Sequence, residues 1–209
     1  FLYRSGHGGI SGRTGGRHPG RMHHLHYVRG AVPADLEKYE KTGRRITILY
    51  RPPRKEILRA VVGEARQAPG IEAVPTNLAG VKHVIRSLRN GNTFGALPDQ
   101  VPSNGEGVWA DFFGRPAYTM TLPVRVAKQF NAVRIFAWGV REKNGWRIEA
   151  EEWSSKLTGD MARDVEDMNR MIEGIIRRMP EQYAWSYNRY KRPQGAPPPD
   201  APRSKGNQK

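Results

Sequence analysis

The sequence predicts a single α/β domain with a mixed central sheet flanked by helices, and three observations carry that reading. Segments with the two-residue period of strands alternate with segments of 3.6-residue period between residues 45 and 179. The chain has 209 residues, enough to bury one sizeable core. It has no cysteine, so neither disulfides nor a thiolate metal site holds it together, and apolar packing has to. No run approaches the ~18 apolar residues that a membrane span requires. No leader pattern precedes a cleavage site, so the text reads as soluble or peripheral. It begins with Phe1 rather than Met, as a piece of something longer would.

Taken in order, Arg45 to Tyr50 alternates and is rich in β-branched residues, which predicts a strand stopped by Pro52-Pro53. Glu56 to Gln67 spaces Ile57, Leu58, Val61, Val62 and Ala65 as a helix, with Gly70 beyond its end. A second helix is expected from Leu78 to Arg89, stopped by Asn90-Gly91. Thr93 to Leu97 then reads as a short strand delivering Pro98-Asp99-Gln100 to its C-terminal edge, where ligand groups collect in α/β sheets. After a loop at 101–107 and the aromatic stretch Trp109 to Phe113, residues 117–130 read as a helix with Pro123 in its first turns. Residues 132–140 and 146–152 read as strands joined through Lys143-Asn144-Gly145. The longest helix is expected over Asp160 to Met179, its acids leading and Arg177-Arg178 closing it, as the macrodipole favours. From Pro193 the composition is that of a disordered tail.

Charge is distributed unevenly. The total is +15, which points to an anionic partner. Residues 1–34 hold five Arg, no acid, five of the six His, and Gly at eight of the first thirty positions. That composition cannot offset the entropy of ordering a backbone, so residues 1–42 are expected to be poorly ordered unless they dock elsewhere, ahead of a domain at 43–192. His23, His24 and His26 lie close together, but with no carboxylate nearby and no fixed geometry they predict no specific metal site. No cofactor is expected either.

Three features bear on chemistry. Tyr183, Trp185, Tyr187 and Tyr190 interleave with Arg189, Lys191 and Arg192. Amphipathic rings beside cations suit a lipid headgroup layer, and they equally suit a segment packing its aromatics under the sheet. Stacking on nucleic acid is a third reading, but no nucleic-acid motif accompanies it. Arg51, Arg54 and Lys55 surround a rigid Pro-Pro turn at a strand end, either holding an oxyanion or simply solvated. Asp99 is either a site carboxylate or a cap for the loop that follows it.

Four strings occur in one order: Leu49-Tyr-Arg-Pro-Pro-Arg54, Leu97-Pro-Asp-Gln-Val-Pro102, Phe112-Phe-Gly-Arg-Pro-Ala-Tyr-Thr119, and Pro180-Glu-Gln-Tyr-Ala-Trp185 continuing to Arg189-Tyr-Lys-Arg-Pro193. Together they resemble the late acyltransferases of lipid A biosynthesis, the lauroyl/myristoyl transferases of Gram-negative bacteria, over about residues 43–193. The resemblance implies a fold of glycerolipid-acyltransferase type. It implies transfer of a fatty acyl group from acyl carrier protein to a hydroxyl of a lipid A precursor, on the cytoplasmic face of the inner membrane, by a protein peripheral to the membrane or anchored by a segment outside this chain. It also implies Arg51 and Asp99 as substrate-binding residues, with Gln100 and Arg115 beside them. The Phe-Phe-Gly segment would wall an acyl-chain pocket, where burial contributes about 0.8 kcal/mol per CH2.

In such enzymes a histidine takes the acceptor hydroxyl's proton and an acid five positions later orients it. This chain departs from that pattern. Five residues after its histidines stand Gly12, His23, Val28, Arg29, Ala31 and Leu88, so no His-x4-Asp/Glu pair exists in it. His7 is the nearest remnant of the base. A frame-shifted or misread stretch before Gly43 would account for the acid-free composition and the missing motif together. The expectation is therefore an acyltransferase with impaired turnover. The alternatives are an inactive lipid-binding remnant of that family and a basic nucleic-acid-binding protein.

Overall fold

The computed structural model describes residues 2–4 as backbone, together with residues 43–50 and 70–199. Eight strands and three α-helices lie among the described residues: β1 (Leu2–Arg4), β2 (Ile46–Tyr50), β3 (Ile71–Pro75), α1 (Leu78–Arg89), β4 (Thr93–Gly95), β5 (Gly107–Phe112), β6 (Arg115–Met120), α2 (Leu122–Phe130), β7 (Val133–Glu142), β8 (Gly145–Glu152) and α3 (Met161–Arg178). A 3-10 turn, Pro180–Gln182, follows α3. Six strands form a mixed sheet in the order β3-β2-β4-β1-β7-β8, and β5-β6 is a separate hairpin. The α/β class is as the sequence predicts.

Within the sheet, β2 pairs parallel with both β3 and β4. The C-terminal ends of β2 and β4 therefore open on the same edge, bringing Tyr50 and Pro98-Asp99 to one side of the sheet. β1 runs antiparallel to β4, with Arg4 opposite Thr93, so its C-terminal end lies at the other edge. Leu2–Arg4 pair with β4 and β7, the docking elsewhere that the sequence reading names as the exception to a poorly ordered start.

Helix α1 starts where Asn77 accepts a hydrogen bond from the Gly80 amide (2.9 Å), and it meets the sheet closely. A Cβ on Gly80 would stand 1.9 Å from the Pro75 carbonyl oxygen. Thr47 of β2 and Ser87 of α1 share a buried 2.7 Å hydrogen bond, which satisfies two polar groups that the core would otherwise penalise. Asp160 caps α3 through the amides of Ala162 and Arg163. One turn on, the buried Asp164 carboxylate accepts from Thr158 N, Thr158 Oγ1 and Gly159 N. Val84, Leu88, Phe94, Phe112, Val124, Val165 and Met168 join sheet, hairpin and helices into one core.

Three expectations are corrected. Residues 117–120, read as the start of a helix, form β6, and the helix begins only at Leu122 with Pro123 in its first turn. Cross-strand pairing with β5 and a two-residue turn at Phe113-Gly114, both with positive φ (51° and 71°), outweigh the local helical pattern. β3 has no counterpart in the sequence reading, because its five residues end in proline and follow a glycine. Residues 193–199, expected as part of a disordered tail, dock on the domain. Ala196 is buried beside Val101 and Tyr118, and the Trp109 indole donates to the Pro197 carbonyl (2.9 Å). The strand predicted over 93–97 closes at Gly95. The helix predicted over 56–67 lies outside the described residues.

Candidate functional site

β4 leads through Ala96-Leu97 into a tight turn closed by Gln100 N donating to Leu97 O (3.2 Å), which fixes Asp99 at the sheet edge with only 8% of its surface exposed. The next residue binds the C-terminal segment, since the Val101 amide donates to the Tyr187 hydroxyl (2.8 Å). The Pro-Asp string and the aromatic-basic string, 86 positions apart, are therefore in direct contact.

The third string supplies the opposite wall. Its turn is held on α3 by the Phe113 amide donating to Glu173 Oε1 (2.7 Å), while the other Glu173 oxygen takes Arg177 (2.8 Å). The Phe112 carbonyl accepts the Tyr190 hydroxyl (2.8 Å), and the Arg115 guanidinium lies 4.3 Å over the Tyr190 ring. Phe112 and the C-terminal residues Tyr183, Trp185, Ser186, Tyr187, Asn188, Arg189 and Tyr190 line an open depression of about 280 Å3.

Arg189 closes the floor. It is 2% exposed and donates to Tyr118 O (3.0 Å), Thr119 Oγ1 (2.6 Å) and Asn169 Oδ1 (3.4 Å), with its guanidinium 5.1 Å from the Phe112 ring centroid. Asn169 donates in turn to Asp111 O (2.8 Å) and Thr119 Oγ1 (3.2 Å). One buried cation thus fastens the C-terminal segment to both strands of the hairpin and to α3. Burial pulls the Arg189 guanidinium below its ordinary value, and Tyr183 and Asp99 oppose that pull. Burial pushes the Tyr183 phenol well above its usual range, with the Asp99 charge adding to the shift and Arg189 opposing it. Tyr183 therefore keeps its proton at neutral pH and remains a hydrogen-bond donor. Burial also raises the Tyr190 phenol, against Arg115 and Arg189.

The site residues named from sequence divide into two groups. Asp99 and Arg115 both lie near the C-terminal segment, Asp99 close enough for its charge to act on Tyr183 and Arg189 and Arg115 over the Tyr190 ring, and Gln100 follows Asp99 in the turn closed on Leu97. His7 and Arg51 lie outside the described residues, as do Arg54 and the His23-His24-His26 cluster. The histidine among the described residues, His83, sits on α1 and meets Glu72 of β3 at 2.9 Å, so it is absent from the lining of the depression. The residues that sequence reasoning missed are Asn169 and the buried role of Arg189. Arg189 was read as one member of a basic run, and only the aromatic residue at every second or third position around it hinted at packing.

Comparison with known proteins agrees with this arrangement. Residues 34–192 match the bacterial lipid A biosynthesis acyltransferase family. Among curated proteins, a lipid A biosynthesis acyltransferase of Haemophilus influenzae is 29% identical over 147 residues, covering 68% of this chain and 45% of that protein. The chain therefore spans about half the length of the relative it matches. The family match includes every residue that lines the depression, and with the strings it brings together at Asp99, Phe112 and Arg189 it makes this chain a member of the bacterial lipid A biosynthesis acyltransferase family.

Proposed function

We propose that the chain serves fatty acyl transfer from acyl carrier protein to a hydroxyl of a lipid A precursor, at the cytoplasmic surface of the inner membrane, with turnover well below that of a family member carrying a His-x4-acid pair. The observation that carries this reading is that the C-terminal string, which with Phe112 lines the depression, is in direct contact with the Pro-Asp string through Val101 and Tyr187 and with Arg115 through Tyr190. A retained phenol proton and a buried guanidinium suit a substrate that presents carbonyl or hydroxyl oxygen. The Asp99 carboxylate suits a partner with a hydroxyl to donate.

One observation supports the reduced turnover: the chain has no His-x4-Asp/Glu pair. Loss of a positioned base costs about 10²–10⁴-fold in rate. The test is consumption of acyl carrier protein thioester in the presence of lipid A precursor, measured beside a family member that has the motif. The expected rate is lower by that factor and unchanged by His7→Ala. A normal rate, or one abolished by His7→Ala, would refute the reduced-turnover reading. The same missing pair favours a second reading, a lipid-binding protein without turnover, which predicts precursor binding with no thioester consumed. The coding DNA before codon 43 separates the two origins: another frame encoding a His-x4-acid motif marks a disrupted gene.

A further inference from the structure

The rim of the depression combines an exposed apolar ring with cations that lack carboxylate partners. Trp185 is 60% exposed, yet its indole N–H is already committed to the Pro180 carbonyl (2.6 Å). What it shows to solvent is therefore apolar ring. That ring is held in place edge-on to Tyr183 (centroids 5.0 Å apart) and tilted against Phe113 (6.2 Å). Around it, Arg115 lies over Tyr190 at 4.3 Å and Lys191 over Tyr187 at 5.1 Å. Both cations are exposed, and neither forms an ion pair among the described residues. The arginines elsewhere on α3 differ: Arg170, Arg177 and Arg178 each hold a carboxylate.

Among the described residues, the other exposed large hydrophobic side chains are the aliphatic Leu78, Leu97 and Ile148, so Trp185 is the aromatic ring of that set. A rigid indole with its polar atom satisfied loses almost no conformational entropy on insertion, and a lipid-water interface accommodates such a ring well. Cations resting on aromatic faces keep their charge available to an anionic surface, which attracts juxtaposed Lys and Arg.

We propose that the rim formed by Trp185, Arg115 and Lys191 is the face by which this chain docks on an anionic lipid headgroup layer, with the mouth of the depression turned toward the lipid. This rests on the membrane-surface reading above and names the part of the molecule responsible for it. The exposed, internally satisfied indole favours lipid over an acidic protein, whose docking would rest on the cations alone.

The test is co-sedimentation of the full chain with vesicles of equal parts phosphatidylglycerol and phosphatidylcholine, beside vesicles of phosphatidylcholine alone. The expected result is partition to the mixed vesicles that weakens with added salt. Replacing both Arg115→Gln and Lys191→Gln lowers it about 30-fold. Replacing Trp185→Ala lowers it about tenfold. Removing the same charge from α1 by Lys82→Gln and Arg86→Gln changes it less than about threefold. Brominated phosphatidylglycerol quenches the tryptophan fluorescence, and much of that quenching disappears in Trp185→Phe, which keeps a ring and hence the fold. If the unaltered chain binds mixed vesicles and the rim variants bind equally well, the docking face lies elsewhere and this inference fails while the membrane reading stands. If the unaltered chain binds no vesicles, the membrane reading fails and the inference with it. If the rim cations matter for binding acyl carrier protein but not vesicles, the rim is a protein-docking face and the proposal is overturned.

Discussion

The two hairpins, β5-β6 and β7-β8, are separated by the 12 residues between Met120 and Val133 and are built on different principles. In β7-β8 the turn residues Lys143 and Asn144 are exposed, Gly145 takes the unusual backbone angle (φ 143°), and Arg147 pairs with its near neighbours Glu142 and Glu149. The turn itself is closed by groups within a few residues of it, and Gln182 adds one remote clasp on its flank, where it accepts from the Arg141 amide (2.7 Å). In β5-β6 a bulky aromatic, Phe113, adopts φ 51° in the turn, a conformation that side chains beyond the first carbon disfavour. What holds it there is remote: Glu173, 60 positions away, takes its amide, and Arg177 covers its ring at 4.8 Å. The first hairpin is specified locally and the second by the tertiary fold. The second is the one that lines the candidate site, in keeping with strained backbone persisting where the surroundings over-determine it.

The contrast is broken most severely at Arg189. Arg189→Ala leaves the Tyr118 carbonyl, Thr119 and Asn169 without their buried donor and opens a void beneath Phe112, for an expected loss of about 3 kcal/mol. Urea denaturation would read this as a lowered midpoint. A midpoint within error of the unaltered protein would mean the hairpin stands without its clasp. Glu173→Gln is the intermediate case. The Phe113 amide keeps an acceptor but the charge facing it and Arg177 is removed, so a loss of about 1–2 kcal/mol is expected, with a change in the near-ultraviolet dichroism of the Phe113-Trp185 cluster. Arg147→Ala at the other hairpin sharpens the comparison from below. Its exposed pairs are worth no more than about 0.5 kcal/mol, so the denaturation midpoint is expected to stay nearly fixed. A loss there equal to that of Glu173→Gln would erase the distinction between the two hairpins.

The same distinction explains what was legible in the sequence. α1, α3 and the β7-β8 pair carry their caps, glycine stops and periodicity within the segment, and their predicted bounds lie close to the observed ones. β6 was read as helix because residues 117–130 fit a helical spacing when the partner strand is ignored. β3 escaped because a five-residue strand paired in parallel with a segment 25 residues earlier has little local signature. At the candidate site, Asp99 could be named because a strand, a proline and a carboxylate occur in a row. Arg189 could not be singled out, because burial of a cation depends on acceptors from two distant elements, β6 and α3, and nothing adjacent to it in the chain announces them. The aromatic-basic segment follows its packing alternative at Tyr183, Tyr187 and Tyr190, which turn inward, while Trp185 is exposed.

The position of that clasp near the end of the folded text has a consequence for biosynthesis. Arg189 reaches Thr119 across 70 residues and Tyr118 across 71, so these bonds become possible only after both hairpins and α3 have been synthesised. A nascent chain that has already emitted both hairpins and α3 still lacks the side chain that joins them. Until it emerges, the inner faces of Phe112 and Thr119 remain open to other contacts, and partly made chains are the form of this protein most in need of a chaperone.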